Sequence, residues 1–133
     1  MSQENVATVR RAFGEVTIPG DPEAMIAACH RDFAMHLVGV GGESVKYVGE
    51  SGIREFFRDV AQSWESFQFK ATDARDLGDR VLVLGDVRGC GRVSGLQVND
   101  RWAWIIELRA GKAVRLRGFL DQSEALTAAG ISE

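Results

Sequence analysis

Cysteine and proline are scarce, at two each in 133 residues. Cys29 and Cys90 have no close-spaced companion. Neither a disulfide framework nor a thiolate metal cluster is expected, and two free thiols suit a reducing compartment. Histidine is as sparse: His30 and His36 stand apart from any clustered cysteine, in a spacing that matches no familiar zinc pattern. No metal and no other cofactor is expected. Positive charge is not in excess, since 16 Lys and Arg face 19 Asp and Glu for a net charge of −3. Nucleic-acid binders carry a basic face and anionic membranes call for clustered cations, so neither partner is expected. No apolar run approaches the ~20 residues that cross a bilayer. The first five residues lack the basic-then-apolar pattern of a secretory leader, and a cytoplasmic chain is the expectation.

Catalytic signatures are missing too. Gly39-Val40-Gly41 and Gly89-Cys90-Gly91 each open like a dinucleotide fingerprint, but the sixth position is Ser44 in one and Ser94 in the other. Neither leads from a strand into a helix. There is no phosphate-binding P-loop and no serine in a Gly-x-Ser-x-Gly elbow.

What is present is patterning. The length suits one domain over residues 1–133, able to bury roughly two-thirds of its unfolded surface. Three runs of strand composition, Arg80–Gly91, Gln97–Ala110 and Lys112–Leu120, are parted by short glycine-bearing breaks; such runs predict an antiparallel meander. Upstream, Val6, Val9, Phe13 and Val16 recur at helical spacing. After Pro19-Gly20, Asp21 and Pro22 can start a short second helix reaching about His30. Phe33–Val40 and Val45–Val48 read as strands. A third helix, with Ser51 as cap, carries the stripe Ile53, Phe56, Phe57, Val60 and Trp64. Phe67, Phe69 and Ala71 alternate as a half-buried strand does, Asp76–Asp79 is a turn, and Asp121 caps a terminal helix to Ala129. Elements segregated in this way predict an α+β domain, with helices on one face of an antiparallel sheet.

The order of several short segments carries a resemblance. Tyr47-Val48-Gly49 precedes Gly52-Ile53-Arg54-Glu55-Phe56 and Trp64; Leu77-Gly78-Asp79-Arg80-Val81, Gly111-Lys112-Ala113-Val114 and Phe119-Leu120-Asp121 follow. In this order they resemble the SnoaL-like branch of the nuclear transport factor 2-like (cystatin-like, ketosteroid isomerase-like) superfamily, over nearly the whole chain. The resemblance implies a cone: a curved antiparallel sheet, closed by N-terminal helices, with a mostly apolar pocket on its concave face. Relatives include ketosteroid isomerase, polyketide cyclases and limonene-epoxide hydrolase, and fold alone does not decide among such activities.

Carried over residue by residue, the family's catalytic sets are absent. The isomerase's oxyanion tyrosine falls at Phe13, its second donor at Ala103, and its base at Leu37 or Val40. The cyclase aspartate of the last strand falls at Gly118, and the hydrolase pair at Gly85 and Val87. Asp121 matches a helix cap. The expectation is therefore a domain that binds a small hydrophobic molecule. The alternative is an enzyme of cyclase, isomerase or epoxide hydrolase type on a small hydrophobic substrate, with His36 or Tyr47 supplying the proton chemistry. A third reading is an accessory module whose pocket is filled.

Side-chain alternation along the meander allots residues to faces. With Val83, Gly85 and Val87 inward, Ala103 and Ile105 are read as inward likewise, and on the last strand Val114, Leu116 and Gly118. The expected ligand contacts are Phe13, Tyr47, Phe57 and Trp64 from the cover, and Val87, Ala103, Leu116 and Gly118 from the sheet. The outer face then carries Leu84, Asp86, Trp102, Trp104, Arg117 and Phe119. Its apolar part is too large to leave wet, which predicts a homodimer joined back to back.

Overall fold

The computed structural model describes residues 2–38 and 44–130. In chain order the elements are α1 (Ser2–Phe13), β1 (Glu15–Ile18), α2 (Glu23–Ala27), β2 (Cys29–Val38), β3 (Ser44–Val48), α3 (Gly49–Ser63), β4 (Trp64–Asp76), β5 (Arg80–Gly91), β6 (Gln97–Arg109), β7 (Lys112–Phe119) and α4 (Gln122–Ala129). Seven strands form one curled sheet in the order β1-β4-β5-β6-β7-β2-β3. Every pairing is antiparallel except β2 with β7.

The upstream expectations need local corrections. Val16 does not extend the first helix: Gly14 closes it by donating to the Arg10 carbonyl at 3.1 Å, and Val16 pairs with Phe69 in β1. The second helix stops at Ala27, and His30 belongs to β2, because Cys29 already pairs with Ala113 of β7. Asp21 does start that helix, accepting the Glu23 N–H at 2.9 Å. Ser51 is no cap. The third helix begins at Gly49, whose φ of 69° turns the chain out of β3, and Val48 precedes it without a side-chain cap. Trp64 opens β4 instead of closing the helix. The end of that helix is held by Arg92 from the β5–β6 hairpin: its guanidinium donates to the Ala61 carbonyl at 2.9 Å and its N–H to that of Ser63 at 3.0 Å. Carbonyls that α3 cannot satisfy internally are thereby paired, which fixes the indole that follows. Val40 lies outside the described residues.

The three meander strands are where the sequence places them, but the middle one, β6, presents the opposite face. In β5–β6, Val83 lies opposite Trp104 and Gly85 opposite Trp102. Directly paired residues share a face, so the indoles accompany the inward valines. The Ala110-Gly111 turn has positive φ at both residues, 52° and 80°, as a tight two-residue hairpin requires. It pairs Arg109 with Lys112 and Leu108 with Ala113. Continued unbroken, that register would set Ala103 beside Gly118. A bulge intervenes: Glu107 pairs with Arg115, leaving Val114 unmatched, and beyond it Trp104 lies opposite Gly118 and Ala103 opposite Phe119. One extra residue exchanges the faces.

The main core lies between the sheet's concave face and helices α1 and α3, with Phe13, Phe33, Met35, Ile53, Phe69 and Leu116 fully buried. A smaller core occupies the other face. There Ala125, Leu126 and Ala129 of α4 cover Leu82, Leu84, Ala103 and Ile105. Asp121 caps α4 by accepting the Ser123 N–H at 2.9 Å.

Candidate functional site

Between α3, β3 and the concave face of β6, β7 and β2 lies a hollow of about 310 Å³. Its walls are mostly apolar, and nearly half of the lining residues are aromatic. Trp64, Phe67 and Trp102 form a continuous run, with ring centroids 5.8 and 5.6 Å apart along it. Trp104 forms the floor and stacks flat on Phe69 at 4.2 Å. All three tryptophans of the chain therefore face this space. Gly118, opposite Trp104, leaves room for Leu37: a Cβ there would stand 2.6 Å from the Leu37 Cδ2 atom.

The polar part is small. Tyr47 is buried at the end of β3, packs edge-on against Phe56 at 5.6 Å, and donates its hydroxyl to Asp59 Oδ2 at 2.8 Å. Its phenol is pushed up to about 12, chiefly by burial, then by the hydrogen bond to Asp59 and the charges of Asp59 and Glu55. The hydroxyl consequently keeps its proton throughout the neutral range. Asp59 and Ser63, one helical turn apart on α3, complete the polar lining at the exposed mouth. Asp59 was not singled out in the sequence. The available signal was its spacing, three residues after Phe56, at the edge of the apolar stripe.

His36 lies elsewhere. Inward Met35 and Leu37 flank it, and it pairs across the sheet with Lys46 and Arg117 on the outer face. Partial burial, followed by the charges of Arg115, Lys46 and Arg117, lowers its pKa below the usual histidine value.

The other expected contacts divide. Tyr47, Trp64, Leu116 and Gly118 line the hollow. Phe13 and Phe57 are buried behind it, Phe13 edge-on to Trp104 at 6.3 Å and Phe57 against Phe56 at 5.9 Å. Val87 is in the core beside a separate groove of about 940 Å³, whose rim of Asp86, Arg88, Asn99 and Arg101 is exposed and charged. Ala103 is on the other face, beneath α4, because of the register described above.

The residues expected to join two copies are likewise redistributed. Trp102, Trp104 and Phe119 line the hollow, Leu84 is covered by α4, and Asp86 is exposed. Arg117 remains on the outer face, 5.7 Å from the Phe119 ring centre. The single apolar patch on which the back-to-back pairing rested is not there.

Residues 9–116 match the family model of the SnoaL-like domain. No curated protein matches the chain in sequence. Among solved structures, an NTF2-like protein from Burkholderia pseudomallei superposes with a TM-score of 0.75 at 22% identity, covering 93% of this chain and 95% of that one. TerC, co-crystallised with polyporic acid, gives 0.73 at 20% identity, over 96% and 98% of the two chains. A protein of ketosteroid isomerase-like fold from Catenulispora acidiphila, in complex with trimethylamine, gives 0.72 at 16%, over 99% and 96%. At these identities the likeness is one of fold.

Proposed function

The chain belongs to the SnoaL-like domain family, and from that premise we propose that its hollow binds a small, largely apolar molecule. The observation that carries this reading is an uncollapsed space of about 310 Å³ faced by all three indoles. That volume falls at the lower end of the range used by small-molecule sites, which are mostly apolar with a few placed polar groups. Two relatives of the same fold, TerC and the Catenulispora protein, have been solved with small organic molecules, which supports the fold's use as a container.

Enzymatic use of the same hollow, of the cyclase, isomerase or hydrolase kind, would have to run through Tyr47 and Asp59, its titratable lining residues. His36 is turned away, and the positions that carry the family's known machineries hold Phe13, Leu37, Gly85, Val87, Ala103 and Gly118. With Tyr47 held protonated, the pair is better suited to orienting a ligand than to moving its protons.

The test is a titration of the full chain with a panel of small aromatic and alicyclic compounds, read by tryptophan emission and by melting temperature. Binders are expected to change emission saturably and raise the melting point together, and Gly118→Leu, which crowds the floor, is expected to abolish both responses. A panel that moves neither signal in the parent chain would remove the proposal.

A further inference from the structure

The polar end of the hollow is chemically one-sided. Tyr47 has one hydroxyl proton and spends it on Asp59 Oδ2 at 2.8 Å, so its oxygen can only accept from a ligand. Among the described residues, Asp59 Oδ1 has no hydrogen-bond partner, and a carboxylate oxygen is an acceptor. Glu55, one turn earlier on α3, adds negative charge that is felt at the Tyr47 hydroxyl. Among the described residues, no Lys, Arg or His lines the space. Lys46 and Arg117 pair with His36 on the outer face, and Arg54 is held by Glu23 at 2.7 Å and Glu50 at 3.1 Å. Behind the acidic mouth stand Trp64, Trp102 and Phe56, whose ring faces attract cations. Besides Ser63, the donors among the described lining residues are indole N–H groups, of which that of Trp102 is given to Asp100 at 3.1 Å.

Resting on the binding reading above, we propose that the ligand is a small aromatic or alicyclic amine. Its ring lies among the indoles, and its ammonium meets the free oxygen of Asp59 at the mouth. An apolar body satisfies the walls, and a cationic donor is what the free oxygen of an anionic rim leaves unfilled. A carboxylate on the same skeleton meets like charge at that rim. Because Asp59 is exposed, the ion pair is screened, and the preference is modest: roughly three- to tenfold in Kd over the neutral alcohol.

The experiment uses the full chain and one skeleton with three heads: 2-naphthylmethylamine, 2-naphthalenemethanol and 2-naphthoate, titrated by calorimetry at low and high salt. The expected order is amine, then alcohol, then acid, with the lead of the amine shrinking as salt rises. In Asp59→Asn the amine and alcohol should converge, while the alcohol binds as before. In Tyr47→Phe, which frees both carboxylate oxygens, the amine should keep or extend its lead. If the alcohol equals the amine in the parent chain, or if the amine's lead survives Asp59→Asn, the amine assignment is overturned and the hollow remains a binding site. If none of the three compounds binds, both readings fall together.

Discussion

Tyr47 is the only tyrosine in the chain, so its ionisation can be followed directly by phenolate absorbance. Its pKa stands raised from 10.0 to about 12, burial being the largest cause and Asp59 the next. A folded-state pKa above the unfolded one means that the native protein holds the proton more tightly. The stability tied to this proton is complete below pH 10 and is lost as the pH rises toward 12. Two outcomes follow: the absorbance midpoint of the native protein lies near 12 and falls toward 10 on denaturation, and Asp59→Asn lowers the native midpoint part of the way, leaving the share due to burial. A native midpoint near 10 would mean that the hydroxyl is open to water and does not close the mouth. The resemblance marked Tyr47 through its place before a helix, and its partner stayed illegible. A lone aspartate on an amphipathic helix looks like any solvated residue until the fold shows which edge of the stripe borders a cavity.

At the scale of elements, the match between β6 and β7 turns on one unpaired residue. The Ala110-Gly111 hairpin sets a register, and the unmatched Val114 reverses it for the rest of β7. Deleting Val114 removes the bulge and leaves the rest in place: Arg115 then follows Ala113 and meets Glu107, and Trp104 stays opposite Gly118. The deletion variant should therefore keep the tryptophan emission and any ligand response of the parent chain, with Trp104, 3% exposed in the parent, staying inside. A red-shifted emission would mean that β7 re-pairs so that Trp104 turns to the outer side, and that the bulge does more than absorb Val114. The same point explains what could be read beforehand. Strand existence and extent in the meander follow from apolar runs and glycine breaks, and Asp121 announces its helix by capping chemistry. Parity does not follow, because Val114 is a β-branched strand former among others, and nothing in its composition marks it as the residue left over. The four-residue β1 was hidden likewise, since Val16 continues the helical spacing of Val6, Val9 and Phe13 across the glycine that ends the helix.

For the whole molecule, the sheet has two apolar faces and each has its own cover. The concave face is closed by α1 and α3 save for the hollow, and the opposite face is closed over Leu82, Leu84, Ala103 and Ile105 by the single helix α4. With α4 in place, those four side chains are not open to a second copy. Ending the chain at Leu120 removes Ala125, Leu126 and Ala129 and uncovers those four side chains together, a contiguous patch of the kind that drives association. Sedimentation of the shortened chain should show concentration-dependent growth in mass that the full chain lacks over the same range. Leu126→Ala supplies the graded version, with a stability loss of about 2–3 kcal/mol by denaturant unfolding and the fold retained. The hollow lies on the other side of the sheet, so ligand responses should survive Leu126→Ala at temperatures where the variant is folded. A shortened chain with the melting point and sedimentation of the full one would show that α4 covers nothing of consequence, and back-to-back pairing through that face would again be open.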